Sequence, residues 1–353
     1  MGQIASFNGL RFFTALIIVL LHIGTHFQIN YPFRCGYLAV ELFFILSGFL
    51  LAKTYDKLTR DSVAENNLQL CKIYFFRRFM RFWPEYLFAM LLSFACLSIF
   101  SSIKIRPFFL NVFMLSGWGG IEYFLTGGWF IPVVLWCGCF LFSLLVFGKD
   151  KAKVFILPII ALLCLFCMIN QPQLNIWKQL IASTYLSGGT IRGLLAITVG
   201  IYTYWGCREL EKYKEIWRPK FVTISLFVGE LVCVIGLVHI LVFQKKYNVN
   251  LFNVYFYASF LIGLLYFRRE KLLKFLSWKI WVPLATVSYS WYLVHGAVII
   301  LMKKYYLPWI KTYVLAGSVS AVCLSLLLAI FCYSGARFLV KYIKKFALKN
   351  PPA

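Results

Sequence analysis

The most informative pair of residues in this chain is Arg11 and His22, which both lie in the first long apolar segment, at about residues 8–28. A charged arginine at the centre of a membrane helix costs about 2.5 to 3.5 kcal/mol on insertion scales, so such a residue usually has a partner or a function. Their spacing is about three helical turns, which predicts that both side chains share one helix face, roughly 16 Å apart. The pattern predicts an anionic ligand at one membrane depth and proton transfer at another.

Glu41 is predicted to cooperate with His22. It lies near the start of the second apolar segment, at a membrane depth comparable to that of His22. A carboxylate beside an imidazole fixes the tautomer of the ring and stabilises its protonated form. We therefore expect Glu41 to orient His22. The alternative is an interfacial carboxylate that contacts solvent or lipid.

A cluster of arginines, Arg77, Arg78 and Arg81, precedes the third apolar segment within the sequence KIYFFRRFMRFWPEY. Clustered guanidiniums bind phosphates through paired hydrogen bonds, so the cluster is a candidate phosphate site at a membrane entrance. The alternative is a topological signal that binds lipid phosphate.

Polar residues also interrupt the later apolar segments. Arg192 lies near the start of the sixth segment, and VSYSWYLVHG places Tyr289 and His295 on a polar stripe of the ninth. Such a stripe is expected to face the interior of a helix bundle. Glu230 and His239, in the seventh segment, are expected to be structural hydrogen-bonding partners.

The composition indicates what kind of molecule positions these residues. The chain has 353 residues, of which 61% are hydrophobic, and its mean hydropathy is +0.79. Continuous apolar runs long enough to cross a bilayer predict an all-α polytopic membrane protein and exclude a β-barrel, whose strands alternate. We predict ten spans in one bundle, at about residues 8–28, 37–53, 82–100, 128–148, 154–169, 188–206, 220–243, 250–267, 282–303 and 313–334.

The distribution of charge predicts the topology. With the N-terminus in the cytoplasm, the cytoplasmic loops and tail hold 25 Lys and Arg residues and the outer loops hold nine. The positive-inside rule then places both termini in the cytoplasm of a multi-pass protein of the cell membrane. The net charge of +24 is explained by topology and by the lipid bilayer, so no nucleic-acid partner is expected.

The domain organisation is predicted to be simple. Residues 1–353 form a single integral membrane domain, with spans at about 8–334 and a basic cytoplasmic tail at 335–353. The eleven cysteines lie mostly inside apolar runs without the spacing of metal ligands, so no metal site is predicted.

The order of the motifs resembles that of the membrane acyltransferase-3 family. Arg11 and His22 are similar to the family's arginine–ten residues–histidine motif, and GYLAVELFFILSGFLL is similar to its second span, with Glu41 where an aspartate is common. RRFMRFWPEY, RGLLAITVGI and SYSWYLVH resemble later family segments. The chain departs at Asn8, where an aspartate is frequent, and at GGWFIPVVLW, which keeps Trp129 but lacks a Trp-Ser-Leu-x-x-Glu pattern.

The resemblance implies transfer of an acyl group, usually acetyl, from cytoplasmic acyl-CoA (acetyl-CoA) to a hydroxyl of a cell-surface polysaccharide, lipopolysaccharide or lipid-linked sugar. His22 would then be the general base, and Glu41 would orient it. Direct transfer and a covalent acyl-histidine intermediate remain open. The implied donor-binding residues are Arg11, Arg77, Arg78 and Arg81, and the residues considered for substrate or oxyanion contacts are Arg192, Tyr289 and His295.

The main alternative is a transporter or flippase for a lipid-linked sugar that performs no acyl transfer. Such a protein typically shows inverted repeats and paired helices broken by Gly or Pro, which this sequence does not display. A non-catalytic membrane scaffold is a second alternative. Consumption of acyl-CoA distinguishes an enzyme from both.

Overall fold

The computed structural model describes residues 4–30, 32–61, 64–98, 105–115, 125–169, 187–213, 215, 219–244 and 252–349. Within these ranges the chain is helical and contains no strand. The α-helices are α1 (Ser6–Phe27), α2 (Ala39–Arg60), α3 (Asn67–Ser98), α4 (Ile105–Val112), α5 (Phe130–Lys151), α6 (Leu157–Ile169), α7 (Gly188–Leu210), α8 (Lys220–Val238), α9 (Asn253–Phe267), α10 (Trp281–Thr312) and α11 (Val314–Lys349). Short 3₁₀-helices cover Gly36–Leu38 and Leu272–Ser277, and π-helical turns cover Ala152–Ile156 and His239–Phe243.

Several of these helices are long and apolar enough to cross a membrane, so the chain is a multi-pass membrane protein. Each predicted span overlaps a helix, but the predicted number of ten is not confirmed. In the described ranges, α9 has 15 residues, and α3 and α7 include charged residues. Among the described residues, six stretches are both long enough and apolar enough to span a membrane: Ser6–Phe27, Gly36–Arg60, Phe130–Ile169, Lys220–Phe243, Trp281–Thr312 and Val314–Tyr342. The cytoplasmic location of the termini stays a prediction.

The parallel helices α2 and α7 touch backbone to backbone. A Cβ atom added to Gly48 would lie 1.9 Å from the carbonyl oxygen of Ile197, and one added to Gly200 would lie 2.0 Å from that of Ile45. Small residues allow membrane helices to approach this closely and so fix their register. This register brings Glu41, two turns before Gly48, level with Arg192 on α7.

Packing on the other side of the bundle joins the two ends of the chain. Helix α1 packs along α10, α10 packs along α11, and α3 packs against both α10 and α11. Helix α11 continues to Lys349 and so includes most of the segment predicted as the tail at 335–353. The beginning of α1 and the end of α11 lie at the same end of the bundle, because residues of both line one cavity.

Glu230 has a structural role, as expected. Its buried carboxylate accepts hydrogen bonds from the backbone N–H groups of Lys271, Leu272 and Leu273, at 2.8, 3.1 and 2.8 Å. These are donors at the start of the Leu272–Ser277 helix that have no intrahelical partner, so Glu230 caps that helix. His239 lies on the exposed surface of α8's π-helical extension, near the ring of Phe243.

Candidate active site

Five arginines from three helices line one cavity with a volume of about 630 Å³. The cavity brings together all four predicted ligand-binding arginines: Arg11 on α1, and Arg77, Arg78 and Arg81 on α3. The fifth is Arg337 on α11, which sequence analysis assigned to the tail. The signal that could have identified it is its position one turn after Tyr333, on a helix that continues beyond the apolar segment.

The arginines of the cavity are not neutralised by ion pairs. Within the described ranges, no carboxylate oxygen lies within 4.0 Å of their guanidinium nitrogens. Glu85 also lines the cavity, and its carboxylate accepts a hydrogen bond from the Ser290 hydroxyl. Converging cations with so little compensation create a positive potential that attracts a polyanion.

Two of these guanidiniums are oriented by aromatic rings. The guanidinium carbon of Arg78 lies 5.4 Å from the ring centroid of Tyr74, and one of its nitrogens donates to the Ser47 carbonyl at 3.4 Å. The guanidinium carbon of Arg337 lies 5.1 Å from the ring centroid of Tyr333. Stacking on aromatic faces leaves the N–H fork of an arginine available for a phosphate.

His22 is hydrogen-bonded to His295, on α10. The Nδ1 atom of His22 lies 2.9 Å from the Nε2 atom of His295, and the ring centroids are 4.9 Å apart. His295 is fully buried, whereas His22 is partly exposed. The sequence indicated that both residues are functional candidates but gave no reason to pair them.

The hydrogen bonds of this pair determine the neutral tautomer of each ring. The Nδ1 atom of His295 lies 2.7 Å from the Tyr292 carbonyl oxygen, which can only accept, so Nδ1 carries the proton. The Nε2 atom of neutral His295 then accepts the proton of His22 Nδ1–H. This assignment leaves the lone pair on Nε2 of His22, where it can act as a base or a nucleophile.

A glycine lies against this histidine pair. Gly127 has φ of +74°, and a Cβ added to it would lie 3.1 Å from the Tyr292 hydroxyl oxygen and 3.7 Å from Cε1 of His22. The Tyr292 hydroxyl donates to the Gly127 carbonyl at 2.6 Å. Gly127 is therefore required both for its left-handed backbone and for its close approach to the two side chains.

The structure corrects the predicted role of Glu41. Its Oε1 atom lies 2.6 Å from an Nη atom of Arg192 and 2.7 Å from Nε, and both side chains are only 1% exposed. The Arg192 guanidinium also lies near the rings of Tyr37 and Trp129, at 5.5 and 5.3 Å. His22 is oriented by His295 instead. Glu41 was misassigned because its membrane depth matches that of His22, whereas the contact between α2 and α7 turns it towards Arg192.

The other two candidates for oxyanion contacts have different environments. Arg192 is held by Glu41, so its guanidinium serves the packing of α2 against α7. Tyr289 does line the arginine cavity, and its hydroxyl donates to the Phe82 carbonyl at 3.1 Å. Tyr289 thus borders the cavity rather than the histidine pair.

The Glu41–Arg192 pair leads to a prediction about stability. Glu41→Leu should destabilise the protein by about 3–5 kcal/mol, because the variant leaves a buried guanidinium without its counter-ion. The double variant Glu41→Leu with Arg192→Met should recover most of this loss, because an apolar pair removes both charges. Thermal unfolding in detergent measures both effects. Additive losses in the double variant would show that the two residues are not energetically coupled.

Comparison with known proteins identifies the family. A family model described as an acyltransferase domain, acyltransferase 3, matches residues 4–333, which is nearly the whole chain. Comparison with curated proteins and with solved structures gave no significant match. The match confirms the family that the sequence motifs resemble. It includes both histidines of the pair and four of the five cavity arginines, whereas Arg337 lies beyond its end.

Proposed function

The chain belongs to the acyltransferase-3 family and is therefore a membrane acyltransferase, and we propose that it transfers an acyl group, usually acetyl, from acyl-CoA to a hydroxyl of a cell-envelope glycan. The acceptor would be a cell-surface polysaccharide, a lipopolysaccharide or a lipid-linked sugar. The observation that carries the proposal is the cavity of five arginines beside a histidine pair with a free Nε2 lone pair.

The charge of the cavity supports acyl-CoA as the donor. Within the described ranges, five guanidiniums and the Glu85 carboxylate leave roughly four positive charges. The diphosphate and 3′-phosphate of CoA together carry roughly four negative charges near neutral pH. Arg11, Arg78 and their neighbours would bind these phosphates in paired hydrogen bonds, and the pantetheine arm would extend towards the histidines.

The tautomer of His22 supports its chemical role. In direct transfer, His22 Nε2 removes the proton of the acceptor hydroxyl, whose oxygen attacks the thioester carbonyl carbon. The carbon–sulfur bond breaks, and the proton on Nε2 passes to the CoA thiolate. His295 stabilises the transient imidazolium by accepting from its Nδ1–H. In the covalent alternative, the same lone pair first attacks the thioester carbonyl carbon and the carbon–sulfur bond breaks, which leaves an acyl-histidine and the CoA thiolate. The oxygen of the acceptor hydroxyl then attacks the acyl carbon, the bond to Nε2 breaks, and the hydroxyl proton neutralises the thiolate.

The position of the arginine cavity in the bundle supports a proposal for the location of the protein. The chain is a multi-pass membrane protein, and we place it in the cell membrane with the arginine cavity open to the cytoplasm, where acyl-CoA is made. The beginning of α1 and the end of α11 both contribute to the cavity, and the basic loops predict that this end of the bundle faces inwards.

Acyl-CoA consumption tests the proposed function. The purified protein in lipid nanodiscs is given acetyl-CoA and an envelope-glycan extract, and the released thiol and the mass of the glycan are measured. We expect thiol release together with a gain of one acetyl group per modified sugar. Absence of thiol release, with movement of a lipid-linked sugar across proteoliposomes, would instead support the transporter.

We expect the cavity arginines to control donor affinity. Arg78→Ala, Arg81→Ala and Arg337→Ala should each raise the donor KM by about tenfold to a hundredfold, because each removes a charge-assisted phosphate contact of about 1.5–3 kcal/mol. Arg60→Ala is a matched control, since Arg60 pairs with Asp61 at the exposed end of α2. An unchanged donor KM combined with defective insertion would favour a topological role for the cluster.

A further inference from the structure

Three aromatic rings that pack against one another line the arginine cavity, and one of them, Tyr292, also contacts His295 of the histidine pair. They belong to Phe43 on α2, Phe130 on α5 and Tyr292 on α10, and all three line the cavity. Their centroids are 5.6 Å apart for Phe43 and Phe130, 5.5 Å for Phe130 and Tyr292, and 6.5 Å for Phe43 and Tyr292. Among the described residues that line the cavity, neither histidine is present. We call these rings the three-ring barrier.

Two rings of the barrier are fixed by contacts with neighbouring residues outside it. The hydroxyl of Tyr292 is bonded to the Gly127 carbonyl, and the ring of Phe44 packs against that of Phe130 with a centroid distance of 4.7 Å. Tyr292 is 3% exposed and Phe130 is 7% exposed. Inserting an additional group beside rings that are packed in this way costs about 1–3 kcal/mol, because the neighbouring side chains have to move.

The barrier is also attached to the histidine pair. The backbone carbonyl of Tyr292 accepts from His295, and the rings of these two residues have centroids 5.9 Å apart. The side chain of Tyr292 therefore borders the cavity on the same helical turn whose carbonyl fixes the tautomer of His295.

We propose that the three-ring barrier selects the length of the acyl group. This inference rests on the proposed function. With the donor phosphates bound by the arginines, the thioester carbonyl has to pass between the three rings to reach His22, and each further methylene has to share the same space. A methylene that fits poorly in an apolar pocket changes specificity by about tenfold to two-hundredfold. The barrier therefore favours short acyl groups.

The test compares kcat/KM for acetyl-, butyryl- and hexanoyl-CoA in the full-length protein. We expect the wild type to use butyryl-CoA at least tenfold less well than acetyl-CoA. Phe43→Leu should raise the ratio of butyryl to acetyl kcat/KM at least fivefold. Phe49→Leu is the matched control, because Phe49 is a buried phenylalanine of the same helix that contacts Phe7 and Tyr204, touches none of the three rings and does not line the cavity, so its ratio should stay at the wild-type value.

A second variant tests whether the effect of Phe43→Leu comes from a general packing defect. Tyr292→Phe keeps the ring but removes its hydrogen bond to Gly127, so the freed ring should also raise the butyryl-to-acetyl ratio. An unchanged ratio in both Phe43→Leu and Tyr292→Phe, or an equal rise in Phe49→Leu, would overturn the inference. A wild type that uses all chain lengths equally would also overturn it, but it would leave the acyltransferase function intact. A wild type that consumes none of the three donors would refute the proposed donor itself.

Discussion

Substitution of His22 by alanine is expected to lower acyl transfer by about 10²- to 10⁴-fold, the range that a positioned base contributes. The tautomers of the histidine pair place the available lone pair on Nε2 of His22, and alanine removes it from both the direct and the covalent route. The acylated glycan is measured by mass spectrometry in cells that lack the native gene and produce either the wild type or the variant. The amount of protein in the membrane is measured in parallel.

The matched control is His26→Ala. His26 lies one turn after His22 on α1, with a ring-centroid distance of 6.2 Å, so it shares the local environment of His22. We expect it to retain most of the activity. Wild-type activity in His22→Ala would reject the proposed chemistry. The mass of the intact wild-type protein, incubated with acetyl-CoA but no acceptor, would separate the routes, because only the covalent route adds an acetyl group to the chain.

His295→Leu is expected to lower kcat by about 10²- to 10⁴-fold, although His295 is proposed to act only by positioning His22. Leucine cannot accept the Nδ1–H proton of His22, so the imidazole loses the side chain that orients it, keeps the backbone of Ile18 as a partner, and can more readily place its proton on Nε2. Loss of the reactive tautomer is as damaging in other histidine-dependent sites. Steady-state kinetics should show the loss in kcat, with the donor KM nearly unchanged because the arginine cavity is intact.

A conservative variant distinguishes positioning from packing. His295→Gln supplies a side-chain amide oxygen that can accept from His22 Nδ1–H, so we expect its kcat to be at least tenfold higher than that of His295→Leu. Thermal unfolding of both variants controls for the buried position of His295. Equal activity in the leucine and glutamine variants would show that the hydrogen bond to His22 does not govern the reaction.

The sequence by itself predicted the features that depend on one segment. Apolar runs located the helices, because a helix that meets lipid must bury its own backbone hydrogen bonds and present apolar side chains. The helical period placed Arg11 and His22 on one face, and local clustering grouped Arg77, Arg78 and Arg81. The arrangement of these motifs along the chain led to the family, which the family match confirms.

The tertiary structure decided which residues from distant segments meet. His22 and His295 are 273 positions apart, and Glu41 and Arg192 are 151 apart. The periodicity of a helix states which side chains share a face but not which neighbouring helix that face contacts. The contacts between helices decide this, including the glycine contacts of α2 with α7. Membrane depth alone made Glu41 a plausible partner of His22, whereas the direction of its helix face made it the counter-ion of Arg192.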